Sequence, residues 1–405
     1  MVELADIGRQ TQAPTPVRIK SVSIEGFRSL RCIQNLALPP LAVLIGANGA
    51  GKSTLLRFFD MLGWMLKDRR LQEFVLRQGG GDDQFFMGAR QTPRIRAELC
   101  LEAPSGLYGY RFDLAHVAGG DSVILMNEAY RDAPSAAQAE VEWTPIGAAS
   151  KESCLWDRQE RAAKTIRGLL QQCVVYQFHD TSPNSAIHRR WDITDAVRLR
   201  PDGGNLAAVL LDLRHADSQR YALIVRQIRR VLPAFQDFVL EEQAGKVLLR
   251  WQGAQSDKVF GSHLTSDGSL RVFCLLTLLN LPSARLPDVM LFDEPELGLH
   301  PHAITLVAEM FKRLSQKRQI LIATQSPYLV DCFELENIII ASASHGETRL
   351  RTLPREQYQA WLDDEYQLSD LWLQQATGGV AWLGDTQPVQ REGVAEAGRD
   401  KRQYG

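Results

Sequence analysis

The chain has 405 residues, of which 45% are hydrophobic and 23% charged, and its formal net charge is −2. This balance is typical of a globular protein, and it excludes a general polyanion binder, so any nucleic-acid contact must come from a local patch. Six scattered cysteines without a C-x-x-C pair favour reduced thiols over disulfides or a zinc site. Because we find neither a signal-peptide pattern nor an apolar run of membrane-spanning length, we expect a cytoplasmic protein without membrane contact.

The chain begins with residues 1–16, which are polar, contain two prolines and lack periodicity, so we expect them to be disordered. Residues 17–27 alternate apolar and polar side chains and are predicted to form a strand. The run LAVLIG at 41–46 predicts a buried strand that enters a glycine-rich loop, and residues 52–66 after the loop have helical spacing. We assign residues 17–92 to the N-terminal part of an α/β core.

The middle and the end of the chain predict four further parts. Short alternating runs over residues 93–150 predict an antiparallel β-subdomain. Residues 151–235 have mostly helical spacing, which predicts a helical insertion lobe without a long coiled coil. Strands followed by alternating helices and strands at 236–355 predict the C-terminal part of the core. We expect a helical motif at 356–380 and a flexible tail at 381–405.

The glycine-rich loop, GANGAGKST at residues 46–54, fits the pattern G-x-x-x-x-G-K-[ST]. Its glycines let backbone amides face a phosphate, and the following helix adds the positive end of its dipole. The simpler interpretation is a glycine-rich turn, but the apolar strand before it favours nucleotide binding, with the lysine on the β- and γ-phosphates. The residues expected to bind nucleotide are Gly46, Asn48, Gly49, Gly51, Lys52, Ser53 and Thr54, and Ser53 is also a predicted Mg²⁺ ligand.

A second motif, VMLFDEPELGLHP at residues 289–301, is an apolar strand that ends in two carboxylates. At the tip of a strand, Asp293 can hold Mg²⁺ directly or through water. Glu294 can orient and deprotonate an attacking water. Alone, this motif would be an acidic strand end in a loop, but the preceding phosphate loop favours the catalytic interpretation.

A third motif, LTSDGSLRVFCLLTLLNL at residues 264–281, predicts an apolar helix with Ser266 as its N-cap. Gly268 leaves room for the close approach of a ligand, and a hydroxyl beside the amides of a helix N-terminus can form an anion site. By itself, the motif predicts only a well-capped core helix.

In this order, the three motifs resemble the ATPase head of the ABC superfamily in its SMC/RecF-like branch. They are most similar to stand-alone bacterial AAA-family, RecF-like ATPases. LTSDGSLR resembles a recast LSGGQ signature, RIKSVSIEGFRSL resembles the opening strand and its F-R-S turn, and ILIATQSPYLVD at 320–331 resembles the switch strand. The resemblance covers about residues 18–380. It implies a P-loop NTPase fold with a central mixed or parallel sheet and flanking helices.

The resemblance also implies a mechanism that uses ATP and Mg²⁺. The Lys52 loop of one copy and the signature of a second copy, with Ser266 and Gly268, would enclose the same γ-phosphate. ATP would thus promote a homodimer, and hydrolysis at Glu294 would release it. The resemblance further implies that Arg28 lies near the nucleotide.

Three positions depart from the family pattern or stay open. The switch position, usually histidine, is Gln325, which can bind a phosphate oxygen but cannot carry a proton at neutral pH, so turnover is expected to be slow. His300 replaces an aspartate common in transporters, and it is either a contact to the second copy or a helix cap. Gln177 is the predicted Q-loop residue that senses the metal, a role that His179 or Asp180 could share.

Residues 158–230 carry 13 Lys/Arg and 7 Asp/Glu, a surplus of positive charge in a nearly neutral chain. This surplus indicates either a non-specific DNA contact or a solvated helix face. The leading hypothesis is an ATP-dependent, DNA-associated switch in repair or anti-phage defence that works with a nuclease or other effector. The alternatives are a nucleotide-gated scaffold with little turnover and a transporter ATPase, which the long insertion and the absent switch histidine disfavour.

Overall fold

The computed structural model describes residues 17–133, 142–255, 257–353, 355 and 367–370. The predictions for residues 1–16 and 381–405, and nearly all of the helical motif at 356–380, lie outside the described residues. Within the described ranges, no helix is long and apolar enough to cross a membrane.

Along the chain, runs of consecutive strands are separated by helices. The strands are β1 (Arg18–Phe27), β2 (Leu30–Ala37), β3 (Leu41–Ile45), β4 (Arg94–Ala103), β5 (Gly106–Val117), β6 (Ser122–Ala133), β7 (Thr144–Gly147), β8 (Cys173–Tyr176), β9 (Trp191–Asp192), β10 (Phe235–Phe238), β11 (Glu242–Gln243), β12 (Lys246–Val247), β13 (Arg250–Gly253), β14 (Val259–Gly261), β15 (Val289–Asp293), β16 (Gln319–Thr324), β17 (Ile338–Ser344) and β18 (Glu347–Thr352). The helices are α1 (Lys52–Lys67), α2 (Leu71–Arg77), α3 (Arg161–Leu170), α4 (Leu206–Ala216), α5 (Ser218–Val231), α6 (Asp267–Leu279), α7 (Pro301–Ser315) and α8 (Pro327–Val330).

Most of the strands form two six-stranded sheets. The N-terminal sheet has the order β2-β1-β4-β5-β6-β7 and is antiparallel. The central sheet has the order β18-β17-β3-β16-β15-β8 and is parallel except for the β17–β18 pair. The predicted α/β fold with a mixed central sheet and an antiparallel part is confirmed. The antiparallel part is larger than predicted, because β1 and β2 belong to it.

Both faces of the central sheet are buried. In β3, Leu41, Val43 and Ile45 belong to one hydrophobic cluster, and the alternate residues Ala42 and Leu44 belong to the other. This division follows from the two-residue period of a strand, and it explains why these parallel strands are apolar throughout. The N-terminal sheet with α1 covers one face, and α4 to α7 cover the other.

Residues 151–235 differ from the single helical lobe that the sequence predicted. Helix α3 packs against α1, β8 is an edge strand of the central sheet, and α4 and α5 pack against α6 on the opposite face. The apolar stripe of α3, which includes Ala162, Ile166 and Leu169, is buried in the core. Because each apolar stripe is buried against a different layer, the segment is divided between the two faces of the central sheet.

Two predicted elements are broken by local turn chemistry. Within residues 151–235, the predicted helical structure is interrupted at Asp217, between α4 and α5. The Asp217 side chain accepts a hydrogen bond from the Arg220 amide at 3.1 Å and caps α5. The strands predicted at the start of residues 236–355 are short pieces, with a turn at Ala244 and Gly245, both at positive φ.

The buried side chain of Gln319, the first residue of β16, joins the two large sheets. Its Oε1 accepts a hydrogen bond from the Ile19 amide at 2.8 Å, and its Nε2 donates to the Ile19 carbonyl at 2.8 Å. The same nitrogen lies 3.2 Å from the Leu38 carbonyl, between β2 and β3. Gln319 therefore satisfies backbone groups of β1 that would otherwise be buried without partners.

We expect Gln319→Leu to lower the free energy of unfolding by about 2–4 kcal/mol, because the Ile19 amide and carbonyl would lose their buried partners. Urea denaturation measures the change. Gln316→Leu is the matched control, since Gln316 is exposed at the end of α7 and should change stability by less than about 0.5 kcal/mol. Equal losses in both variants would contradict this role of Gln319.

Candidate functional site

The glycine-rich loop at 46–51 connects β3 to α1. Helix α1 begins at Lys52, and Gly51 is its N-cap. Gly49 and Gly51 have φ values of 78° and 91°, in the left-handed region that favours glycine. A Cβ at Gly46 would lie 2.3 Å from a main-chain oxygen of β17, so this position has no space for a side chain. The loop brings backbone amides to a helix N-terminus, an arrangement that suits a phosphate.

Lys52 is held against this loop. Its ammonium donates hydrogen bonds to the carbonyls of Gly46 at 2.7 Å and Ala47 at 3.1 Å. Burial lowers the pKa of Lys52, and the nearby carboxylates of Glu294 and Asp293 oppose this effect. Since a charged phosphate oxygen is a stronger acceptor than a carbonyl, the ammonium is well placed for a phosphate in the loop.

Three oxygen-bearing side chains meet at the tip of β15. The Ser53 hydroxyl donates to Asp293 Oδ2 at 3.1 Å, and Gln177 Nε2 donates to the same oxygen at 3.4 Å. No group of three or more His, Cys, Asp or Glu side chains that could hold a metal occurs among the described residues. A hydroxyl, one carboxylate and an amide fit Mg²⁺, which needs few protein ligands when substrate phosphates supply the others.

Glu294 follows Asp293 in an unusual backbone conformation. Its φ is 40°, and its amide donates to the Ala323 carbonyl of the adjacent strand at 2.8 Å. A non-glycine residue at positive φ is uncommon, and such strain is often found at functional sites. Gln325 follows β16, next to this turn, and is half-buried. Glu294 and Gln325, which with Lys52 are the predicted catalytic residues, thus follow paired, parallel strands.

The signature segment has the predicted helix start. Ser266 is the exposed N-cap of α6, and its Oγ accepts a hydrogen bond from the Ser269 amide at 3.3 Å. The structure gives a reason for glycine at position 268 that the sequence did not suggest. A Cβ at this position would lie 2.4 Å from the Gly298 carbonyl oxygen. Gly268 thus allows α6 to pack closely against the turn after Glu294, whereas its contact with a ligand stays a prediction.

The turn between β1 and β2 lies beside the phosphate loop. The Ser29 hydroxyl donates to Thr54 Oγ1 at 3.1 Å, in the first turn of α1. The guanidinium of Arg28 donates to Gln84 Oε1 at 3.0 Å and to the Gln78 carbonyl at 3.2 Å. In this arrangement Ser29, rather than the Arg28 side chain, contacts the P-loop helix. Contact between Arg28 and nucleotide stays a prediction. Asn48 is exposed in the loop.

The positions left open in the sequence have distinct surroundings. Of the Q-loop candidates, Gln177 contacts Asp293, whereas the Asp180 carboxylate accepts hydrogen bonds from the amide and hydroxyl of Ser182. His179 Nδ1 is buried without a hydrogen-bond partner in the described part of the chain. His300 is the N-cap of α7, since its Nδ1 accepts from the His302 amide at 3.4 Å, which favours the capping alternative.

Sequence reasoning missed Arg271, which connects three motifs. Its Nη1 donates to the Leu297 carbonyl at 2.9 Å, beside the Glu294 turn, and its Nε donates to the Phe178 carbonyl at 3.1 Å, beside the Q-loop. Arg271 itself belongs to α6, the signature helix. The only sequence feature that could have indicated Arg271 is its position in LTSDGSLR. Its hydrogen-bond partners are main-chain oxygens, which no sequence pattern identifies.

Glu296 was also missed. Its side chain is 8% exposed, and Oε1 accepts a hydrogen bond from Thr324 Oγ1. Burial raises the pKa of Glu296 to about 7, and the nearby Glu294 and Asp293 carboxylates act in the same direction, while the Thr324 hydrogen bond opposes them. A third carboxyl group is thus buried beside the two predicted functional carboxylates.

Comparisons with known proteins identify the family and the fold of this chain. The family described as "AAA domain, putative AbiEii toxin, Type IV TA system" matches residues 41–113 and 143–331, well over half of the chain. The comparison with curated proteins finds no matching sequence.

Among solved structures, the chain is similar to an Smc head bound to the C-terminal winged-helix domain of ScpA. The TM-score is 0.55 with 14% identity over 84% of this chain and 99% of that one. It is also similar to the Pyrococcus furiosus Smc head with an extended coiled coil, with a TM-score of 0.54, 15% identity, and coverage of 86% and 99%. These likenesses show that the fold is that of a P-loop NTPase of the SMC-head type, as predicted.

The raised pKa of Glu296 predicts a pH-dependent contribution to stability. The pKa rises from its usual 4.5 to about 7 in the folded protein, so folding binds a proton, and stability falls as pH rises through this interval. In the Glu296→Gln variant, the side chain at this position does not bind or release a proton in this pH range. Its stability relative to the wild type should therefore increase by up to about 3 kcal/mol between about pH 5 and pH 8. Urea denaturation of both proteins across this range measures the difference, and a difference independent of pH would contradict the expectation.

Proposed function

The chain belongs to the AAA-domain family whose model spans most of it, and on this premise we propose that it binds Mg·ATP and hydrolyses it. One observation supports the proposal most strongly. The phosphate loop, the Ser53–Asp293 pair at 3.1 Å and Glu294 lie at a single edge of the central sheet, as phosphoryl transfer requires.

The proposed roles follow from the chemistry of each side chain. Lys52 and the loop amides bind the β- and γ-phosphates, while Ser53, Asp293 and Gln177 hold Mg²⁺, which neutralises phosphate charge when bound. Glu294 accepts the proton of the attacking water. Gln325 donates a hydrogen bond from its amide group to a phosphate oxygen or to this water.

The second part of the proposal is an ATP-dependent homodimer. Ser266 is exposed at the N-terminus of α6, where its hydroxyl can reach the phosphates bound by another copy. Large apolar side chains near the three motifs are also exposed. They are Leu264 at the start of the signature, Leu297 after Glu294 and Tyr328 after Gln325. Exposed apolar groups around a polar site are typical of a surface that becomes covered.

The third part concerns DNA and a partner protein. Helix α5 carries Arg226, Arg229 and Arg230, all exposed, within the basic segment 158–230. We propose that this face holds DNA phosphates without reading sequence, and that ATP controls an effector such as a nuclease. The family description names a putative toxin of a type IV TA system, which supports defence more than repair. A similar Smc head is bound to a domain of ScpA, which supports a protein partner.

A second candidate is a nucleotide-gated scaffold with little turnover. The observation that favours it is Gln325 at the switch position, since glutamine cannot carry a proton at neutral pH. Both candidate functions include ATP binding. They differ in whether the protein hydrolyses ATP at a measurable rate that depends on Glu294.

We expect Glu294→Gln to lower ATP turnover by at least about 100-fold and to convert a monomer to a dimer when Mg·ATP is added. Removing the base blocks hydrolysis, so ATP continues to bridge both copies. Phosphate release and light scattering after size exclusion measure the two effects.

Adding Ser266→Arg to Glu294→Gln should prevent formation of the dimer. If wild type and Glu294→Gln both dimerise and hydrolyse equally slowly, the scaffold is correct; an unchanged mass would contradict the dimer.

We expect Arg226→Glu with Arg230→Glu to weaken binding of mixed-sequence duplex DNA by at least about tenfold, because two attractive charges near the phosphates become repulsive. The slope of log K against log salt should become shallower by about 0.9 for each arginine–phosphate pair removed. Fluorescence anisotropy at several salt concentrations measures both. The matched control is Arg313→Glu with Lys317→Glu, also exposed and four residues apart. An equal effect in both double variants would contradict a DNA site on α5.

A further inference from the structure

A buried hydrogen-bond chain connects the turn after β15 to the end of β16. Thr324, the last residue of β16, has no exposed surface and donates its hydroxyl hydrogen to Glu296 Oε1. The same hydroxyl accepts a hydrogen bond from the Ser326 amide at 2.9 Å. One hydroxyl therefore joins the Glu296 carboxyl to the backbone on the far side of Gln325.

Ser326 extends the connection into α8. Its hydroxyl accepts a hydrogen bond from the Leu329 amide at 3.4 Å and caps that short helix. On the other side, the Glu294 amide donates to the Ala323 carbonyl, one residue before Thr324. Gln325 is thus flanked by residues that are bonded to the same Glu294–Glu296 turn. The backbone on both sides of the switch side chain is fixed relative to the predicted catalytic base.

Burial of the Glu296 carboxyl group at this position is unfavourable for the free energy of folding. It lies near the Asp293 and Glu294 carboxylates, with Lys52 as the nearby positive charge, and its Oε2 has no hydrogen-bond partner in the described part of the chain. An alanine or valine would pack at the end of a strand without this cost, so a buried carboxyl indicates a use beyond packing.

We propose that Glu296 is a positioning residue, which fixes Gln325 relative to Glu294 through its hydrogen bond with Thr324. The inference rests on the proposed ATP hydrolysis. In this role Glu296 touches neither nucleotide nor water. It holds the Thr324–Ser326 backbone so that the glutamine amide meets the γ-phosphate or the attacking water in one geometry. A misplacement of about 1 Å at such a position can lower a rate by about 100-fold.

The test compares variants that keep or remove the hydrogen bond. Glu296→Ala and Thr324→Val should each lower kcat by at least about tenfold and change KM by less than about twofold. Glu296→Gln should restore most of the rate relative to Glu296→Ala, since its amide oxygen still accepts from Thr324. The Glu296→Ala, Thr324→Val double variant should lose no more than the greater single loss, because both remove one interaction.

The control is Thr277→Val, a change of the same shape at a fully buried threonine of α6 whose hydroxyl has no partner in the described residues. It should leave kcat unchanged. If Glu296→Gln loses as much rate as Glu296→Ala, the carboxylate acts by its charge and the positioning role is wrong. The positioning role is also wrong if both Glu296→Ala and Thr324→Val keep the wild-type kcat, or if their losses add.

A measurement without turnover separates this inference from the proposed function. Hydrogen–deuterium exchange of peptides covering residues 324–330 reports on the Ser326 amide, which Thr324 protects. Exchange should be faster in Glu296→Ala and Thr324→Val and close to wild type in Glu296→Gln. If the variants show these exchange rates but the wild-type protein does not hydrolyse ATP, the proposed function is wrong, whereas the hydrogen-bonded connection between Glu296 and Thr324 is supported. Unchanged exchange in Glu296→Ala would overturn the inference. If Glu296→Ala does not fold, Glu296→Leu, which fills the same space without an acceptor, decides the question.

Discussion

The candidate site depends on the parallel pairing of β3, β16, β15 and β8. Parallel strands end at the same edge of a sheet, so the residues that follow them meet there. The register pairs Asp293 with Ala323 and Phe292 with Tyr176, which brings Gln177 and the switch segment to either side of Asp293, the proposed metal ligand. A shift of one residue would turn Asp293 to the other face of the sheet and separate it from Ser53.

The N-terminal sheet is attached to this site at two places. Gln319 binds β1 where β16 begins, and Ser29 forms the second attachment at the opposite edge, which carries the candidate site. The Thr348 hydroxyl donates to Ser29 Oγ at 2.8 Å, and the Ser29 hydroxyl donates to Thr54 in the first turn of α1. Because these groups form one hydrogen-bonded chain, a movement of the β1–β2 turn would act directly on the P-loop helix.

The sequence predicted the features whose causes are local. Glycines before Lys52 and apolar residues before Asp293 reveal a phosphate loop and an acidic strand tip without reference to distant residues. The features it missed depend on contacts between motifs. Gly268 is small because α6 meets Gly298, and Arg271 binds main-chain oxygens of two other segments. The division of residues 151–235 between layers likewise depends on which face each apolar stripe meets, and helical spacing alone does not contain that information.

The charges at the site explain why the proposed mechanism needs more than one source of positive charge. Lys52 lies near the carboxylates of Glu294 and Asp293, and Glu296 is a third acid close to all of them. Such a set would repel the phosphates of ATP unless Mg²⁺ neutralised part of the charge. Two helix N-termini supply the remainder, that of α1 in the same copy and, on the proposed dimer, that of α6 in the other. On the proposed dimer, the exposed Ser266 would bring the positive dipole end of α6 to a site where a single subunit has an excess of negative charge.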